Sequence, residues 1–482
     1  MKVTKHKFFS PFLFLLLALQ FIACKEEKKE VPEAPDPADK IISSIVVPKF
    51  PEKDFKIIDY GANGDGETDN SEAIKNTIAA CSEAGGGKVI IPKGKFLTGP
   101  IHLKSNVNLH LEEGAEVLFT KEKSAYLPVV HTSYEGVELM NYSPLIYAYK
   151  QKNIAVTGIG TFNGQADNTN WWPWSGSGSY GHKEGTPQQR DSINLPRLRK
   201  MNEEQTPVSE RIFGDGYHLR PTFFEPFECE NILVKGVTFI NAPFWVMHPI
   251  KSTNITVDGV TVKSHGPNND GCNPEYSKNV HITNCLFDTG DDCIAIKSGR
   301  NNDGRRVNIP SENIVVENCE MKDGHGGVVM GSEISAGVRN VYVRNCKMDS
   351  PNLDRAIRIK TNTLRGGFVE NVFVKNIQVG EVKEAVLKIN TYYAIYDNQE
   401  GEFIPTIKNI HLEDVQVEKG GKYGILIKGR EESPVQNVTI KNVTIKEAET
   451  PFLIENSEPV KYINTTINGV LMDNKNTDKN EE

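Results

Sequence analysis

Asn279-Val-His-Ile-Thr-Asn-Cys-Leu-Phe287 is the stretch on which the reading of this chain turns. Val280 and Ile282 alternate with polar residues, Asn284 interrupts, and alternation resumes through Cys285 and Phe287, which predicts strand, bend, strand. The unit recurs. Related nonamers begin at Asn231, Asn254, Asn313, Asn340, Asn371, Asn409 and Asn437, with a looser copy at Asn153. From Asn231 on, successive starts lie 23, 25, 34, 27, 31, 38 and 28 residues apart, and the excess falls between units. A period of this size marks a solenoid. No amphipathic helical pattern recurs between the strands, which excludes βαβ units and leucine-rich repeats. The predicted class is all-β, a right-handed single-stranded parallel β-helix.

Within the unit, position seven is Val237, Val260, Cys285, Cys319, Cys346, Ile377, Val415 and Val443. Cys there substitutes for Val or Ile on an inward face, so these thiols are expected to stack in the core, not to form disulfides or a metal site. The Asn at position one is expected to form a side-chain ladder. Ahead of the repeats, Asp69 or Ser71 caps a predicted helix that shows Ala73, Ile74, Thr77, Ile78 and Cys81 on one face, and Gly85-Gly-Gly87 ends it. Such a helix would cover the open end of the coil. Gly61-Ala-Asn-Gly-Asp-Gly66 lacks the Lys-Ser/Thr of a phosphate loop.

Residues 1–23 read as an export signal, with Lys2, Lys5 and Lys7 before an apolar run too short for a membrane span. Phe21-Ile-Ala-Cys24 resembles a bacterial lipobox, which would make Cys24 the lipidated residue of an outer-membrane lipoprotein, facing the periplasm or the cell exterior. Residues 24–53, rich in Pro, Glu, Asp and Lys, suit a flexible linker. The coil is expected over 54–470, and 471–482 form a polar tail. The net charge of −8 gives no footprint for nucleic acid or an anionic membrane surface. Membrane attachment is expected only through Cys24, and the chain is expected to be a monomer.

The repeats are interrupted from about 165 to 222 by a segment carrying Trp171, Trp172, Trp174, Tyr180, His182, Arg190, Arg197 and Arg199. An insertion between rungs runs along the outside of a β-helix, so its aromatics either wall a sugar cleft or pin the loop to the coil.

Asp270, Asp291 and Asp292 flank the Asn279 strand. Asp270 and Asp292 are 22 residues apart, so stacking places them on neighbouring rungs. Clustered carboxylates raise one another's pKa, which lets one serve as acid while another serves as base, the equipment of glycoside hydrolysis. Asp291 and His325 both stand 12 residues beyond their rung starts, and Arg358 and Lys360 share a strand face. That pair suits a carboxylate.

Asn268-Asn-Asp-Gly271, Gly290-Asp-Asp-Cys293, Gly324-His-Gly326 and Arg358-Ile-Lys360, in this order on such a repeat, resemble glycoside hydrolase family 28, the polygalacturonase family. The resemblance spans about 55–468. It implies inverting hydrolysis of α-1,4-galacturonosidic bonds in pectic polysaccharide or oligogalacturonides. Phosphoryl, nucleotide and redox cofactor motifs are absent, so no cofactor or metal is expected. The resemblance implies Asp291 as general acid, Asp270 and Asp292 as the pair that activates water, and His325 as the partner of the acid. Arg358 and Lys360 resemble the residues that bind galacturonate, and Asn268, Lys297, His248 and Glu333 are expected to complete the substrate-binding set. Acid and base are expected about 6.5–9.5 Å apart. The sequence departs from the family pattern at Asn269, which replaces Thr, and at Asn273, where many members carry Asp. The insertion, Ser264-His-Gly-Pro267 and Gly331-Ser-Glu333 look like the exo-acting branch. Cleavage of rhamnogalacturonan or xylogalacturonan, a calcium-dependent lyase on the same fold and a non-catalytic glycan-binding lipoprotein are the competing readings.

Overall fold

Asn tolerates a left-handed backbone better than other side-chain-bearing residues, and the repeat uses it twice per unit. In the computed structural model, which describes residues 36–393 and 401–473, the first position of each rung lies at φ between +49° and +64°. These residues are Asn106, Asn153, Asn231, Asn254, Asn279, Asn313, Asn340, Asn371, Asn409 and Asn437. From Asn153 on, each Nδ2 donates to the Oδ1 of the preceding rung's Asn at 2.8–3.3 Å, a ladder along the coil. The sixth position turns the same way at Gly236, Gly259, Asn284, Asn318, Asn345, Asn376, Asp414 and Asn442. The bends and strands repeat in phase, so equivalent residues stack. Val280 pairs in parallel with Ile314, and the column continues through Val341, Val372, Ile410 and Val438.

A second parallel sheet closes another side of the coil. Its strands are Ile294–Ile296, Val328–Gly331, Arg355–Lys360, Ala385–Asn390, Tyr423–Lys428 and Thr450–Glu455, stacked in that order. Between the sheets lies an apolar core that runs the length of the solenoid. Cys285, Cys319 and Cys346 stack within it, and the seven cysteines among the described residues are all buried and free of disulfides.

Helix α1 (Pro37–Ser44) corrects the expected extent of the linker. This segment is ordered because Ala38 is buried and Asp39 bonds Arg344 at 2.6 Å on the outside of the coil. Cys24 and the export segment lie outside the described residues. Helix α2 (Ser71–Glu83) is the end cap: Ile74, Ile78 and Cys81 are buried in the core, Asp69 accepts the Ser71 N–H at 2.9 Å, and three glycines at positive φ end it. The insertion contains α3 (Leu195–Glu203), and α4 (Asn301–Val307) follows the first strand of the second sheet. The two bond side by side: Asn202 donates to Arg300 O at 3.1 Å and accepts from Asp303 N at 2.9 Å, while Asn301 donates to Glu203 at 2.9 Å. No helix among the described residues is long and apolar enough to cross a membrane.

Candidate active site

The bends that lead into the second sheet carry the titratable groups. Cys272 pairs with Ile294, which sets Asp270 in register beside Asp292, and Gly271 N–H donates to Asp292 O at 3.0 Å. One rung on, Ile294 pairs with Val328, which sets His325 beside Asp291. Asp291 and Asp292 both reach the site because residues 290–293 leave the strand conformation. Gly290 permits this bend: a Cβ there would stand 2.5 Å from Gly266 O.

Each of the three aspartates brings a carboxylate oxygen within 4.8 Å of the other two. This is tighter than the expected separation of about 6.5–9.5 Å. The strand spacing holds Asp270 beside Asp292, and Asp291 adjoins Asp292 in the same bend, so the three converge. Asp292 accepts from Lys360 Nζ at 2.7 Å and lies 3.6 Å from Arg358 Nη1. Asp270 accepts from Asn273 Nδ2 at 2.7 Å, with Lys297 Nζ at 3.7 Å. Burial, and after it the charge of Asp291, pushes Asp270 up to about 8 against the pull of Lys297. Burial opposes the charge on Asp291 too, but the hydrogen bond and charge of His325, with Lys360 and Lys297 behind them, hold that carboxyl below the usual carboxylate range. The same bond, 3.0 Å from Nδ1 to Oδ1, raises His325 to about 9. At neutral pH a proton therefore resides in the His325–Asp291 pair. This pair faces outward: the Asp291 side chain is 19% exposed and that of His325 53%, whereas Asp270 and Asp292 are buried.

Asn268, Asp291 and His325 open onto a cleft of about 870 Å³. The insertion supplies one wall through Tyr180, Gln189 and α3. Its tryptophans pin the loop to the coil. Trp171 is buried edge-on to Tyr126 and Trp174, Trp174 packs on Tyr142 and His218, and Trp172 donates to Ala242 O at 2.9 Å while meeting Tyr180 edge-on.

Two members of the expected substrate-binding set stand elsewhere. His248 is fully buried between Glu275 (2.7 Å) and Glu225 (3.4 Å), so it cannot meet a ligand. Burial lowers it, yet the bonds to both glutamates outweigh that and lift it to about 9. Glu333 is buried beneath the cleft among Lys297 (3.0 Å), Arg300 (3.7 Å) and Arg365 (3.8 Å), where burial opposes its charge and Lys297 leads the cations that hold it well below its ordinary value. Lys297 itself is buried over the Trp245 ring, 4.7 Å from its centroid. Arg358 and Lys360 share a face as expected and are already engaged with Asp292.

Sequence reasoning passed over Arg220. It is buried, and it fastens the 267–268 bend to the insertion through Pro267 O (2.7 Å), Asn268 Oδ1 (2.7 Å) and Gln189 Oε1 (3.0 Å). Glu135, Arg300 and Arg365, all cleft-lining, were missed as well. None of them belongs to a motif, and nothing in their local sequence marks them.

Residues 214–468 match the model of glycosyl hydrolases family 28, and residues 55–114 match that of rhamnogalacturonase A/epimerase, pectate lyase-like. The structure is similar to that of a hyperthermoactive exopolygalacturonase from Thermotoga maritima, with 43% identity and a TM-score of 0.86 over 90% of this chain and 96% of that one. Among curated relatives, a probable polygalacturonase of Vitis vinifera is 28% identical over 81% of this chain and 73% of its own length. An exo-poly-α-D-galacturonosidase of Dickeya chrysanthemi is 27% identical over 77% of this chain and 63% of its own. With four motifs folded onto consecutive rungs and a family match over more than half its length, the chain belongs to glycosyl hydrolase family 28.

Proposed function

We propose that this glycoside hydrolase removes galacturonate from the ends of polygalacturonate and oligogalacturonides. The observation that carries the reading is the outward-facing Asp291–His325 pair, set against Asp270 and Asp292 at the floor of a cleft walled by the insertion. Asp291 donates the proton that it shares with His325 to the glycosidic oxygen. A water lodged between Asp270 and Asp292 attacks the anomeric carbon, and Asp292, ion-paired with Lys360, takes its proton. A hydrogen bond to oxygen is about 2.7–2.8 Å long, so a single water bridges two oxygens spaced at 4.8 Å or less. Room for the water, more than the carboxyl spacing itself, is what inversion requires.

Chain-end attack is supported by α3 bonded to α4 along the cleft, and by likeness to relatives whose names state exo action. The decisive experiment follows products from polygalacturonate over time and records their anomeric signals by NMR. Galacturonate alone from the first minutes, born as the β-anomer, is expected. Mixed oligomers mean endo action, and an α-anomer means a covalent intermediate, the outcome that the close spacing of the carboxylates would favour.

The three aspartate oxygens also have the spacing of a cation site. Lys297, Lys360 and Arg358 already surround them, and their charge opposes a metal ion there. Activity is expected to be unchanged in chelator, with no ultraviolet-absorbing unsaturated product, whereas a calcium-dependent lyase would stop. The chain is further inferred to be exported and anchored through Cys24, on the strength of the lipobox-like Phe21-Ile-Ala-Cys24. Palmitate labelling that Cys24→Ala leaves intact would refute this.

A further inference from the structure

Three arginines from three separate segments meet in the cleft that holds Asp291. Arg199 comes from α3, Arg300 from just before α4, and Arg365 from the loop after the strand Arg355–Lys360. Two carboxylates hold them together. Glu135, in the turn of the hairpin Val130–Tyr134/Val137–Asn141, bonds Arg300 at 2.8 Å and lies 3.5 Å from Arg199. Glu333 lies behind Arg300 and Arg365 and beside Lys297.

The local charges do not balance. Three arginines, Arg199, Arg300 and Arg365, face two glutamates, and one of these, Glu333, is shared with Lys297. The donors are not all used either. Arg365 is 3% exposed and gives Nη1 to Asn301 Oδ1 at 2.8 Å, but its Nε has no hydrogen-bond partner, and neither has that of Arg199. A buried guanidinium with unused N–H groups is costly unless a ligand engages it. Burial, and after it repulsion from Arg300, lowers Arg365 to about 9, a setting that an added anion would relieve.

We propose that Arg199, Arg300 and Arg365 form a second uronate-binding subsite that grips the carboxylate of the chain-terminal ring, leaving Arg358 and Lys360 for the ring across the scissile bond. A planar guanidinium fork matches a carboxylate, and a neutral sugar would satisfy none of the excess charge. The proposal rests on the chain-end galacturonidase reading and names what that pocket recognises.

Two substrates test it: trigalacturonate, and the same trimer methyl-esterified only at its non-reducing-end carboxylate. The intact protein is expected to prefer the free acid by on the order of 10–100-fold in kcat/KM, the worth of a charge-assisted hydrogen bond. In Arg365→Gln and Arg199→Gln that preference falls to a few-fold, through KM more than kcat. Arg199 is a quarter exposed on its side chain, so its replacement keeps the test valid should Arg365→Gln fail to fold. Equal use of both trimers by the intact protein, or an undiminished preference in the folded variants, overturns the subsite. If the intact protein releases no galacturonate from any trimer, the chain-end reading fails, and calorimetry judges the subsite alone. Binding of galacturonic acid but not galactose, lost in Arg199→Gln, upholds it; equal binding of the two overturns it.

Discussion

His325 and Asp291 act as one acid with its proton held in reserve. Because the pair keeps that proton up to about pH 9, kcat/KM is expected to fall on the basic side between about pH 8 and 9, as Asp270 and His325 lose their protons. Asp291→Asn should cost about 10²–10⁴ in kcat, the range of a lost general acid. His325→Asn should leave partial activity and move the basic limb downward by more than one pH unit, since Asp291 alone then holds the proton without its imidazole. A pH–rate profile that stays in place would remove His325 from this role. Asn273 belongs to the same set: it gives Asp270 a neutral donor at 2.7 Å where many family members place a further carboxylate, so a single raised carboxyl does not become two.

The rung shows why the fold was legible in the sequence and much of the cleft was not. A nine-residue unit states its own register, because left-handed corners at positions one and six select Asn or Gly and inward positions select Val, Ile, Leu or Cys. Equal offsets then put Asp291 beside His325 without any coordinates. The cations of the cleft carry no such phase. Glu135, Arg199, Arg300 and Arg365 come from four connections whose lengths differ, and only the folded chain brings them together. His248 misled for the opposite reason: a histidine near the motifs is sealed off from ligand, because its two glutamate partners lie on other rungs and are bonded in turn by Thr132 and Ser133 of the hairpin. The ladder gives a test at this level. Asn340→Ala, which loses bonds to Asn313 and Asn371 and keeps φ at +57°, should destabilise by about 2–4 kcal/mol, and Asn340→Gly by less because it relieves the left-handed strain. Equal losses by chemical denaturation would mean that backbone strain plays no part. In the wall, Asn202→Ala removes two of the bonds that join α3 to the α4 segment, and oligomeric products are expected to appear beside galacturonate.

Across the molecule, stability follows the solenoid: one long core, an end cap at α2, and buried charges where the second sheet meets the insertion. The Glu225–His248–Glu275 group makes that stability depend on pH. A histidine raised from 6.5 to about 9 contributes fully below pH 6.5, and its contribution is lost as pH climbs through 9. The loss is on the order of 3 kcal/mol. Thermal melts of the intact protein should therefore decline over that window, and His248→Gln should melt lower at pH 6 and keep only the part of the slope that His325, also raised to about 9, contributes. A variant that keeps the whole slope would place its origin in other groups. The column of sealed thiols has a different use. A chain trimmed to begin at Pro37 contains only the seven buried cysteines, so a thiol-reactive dye would find nothing to label until the coil opens. Its labelling rate then becomes a clock for unfolding, and mass analysis of where the first label lands would tell which turn of the spring lets go first.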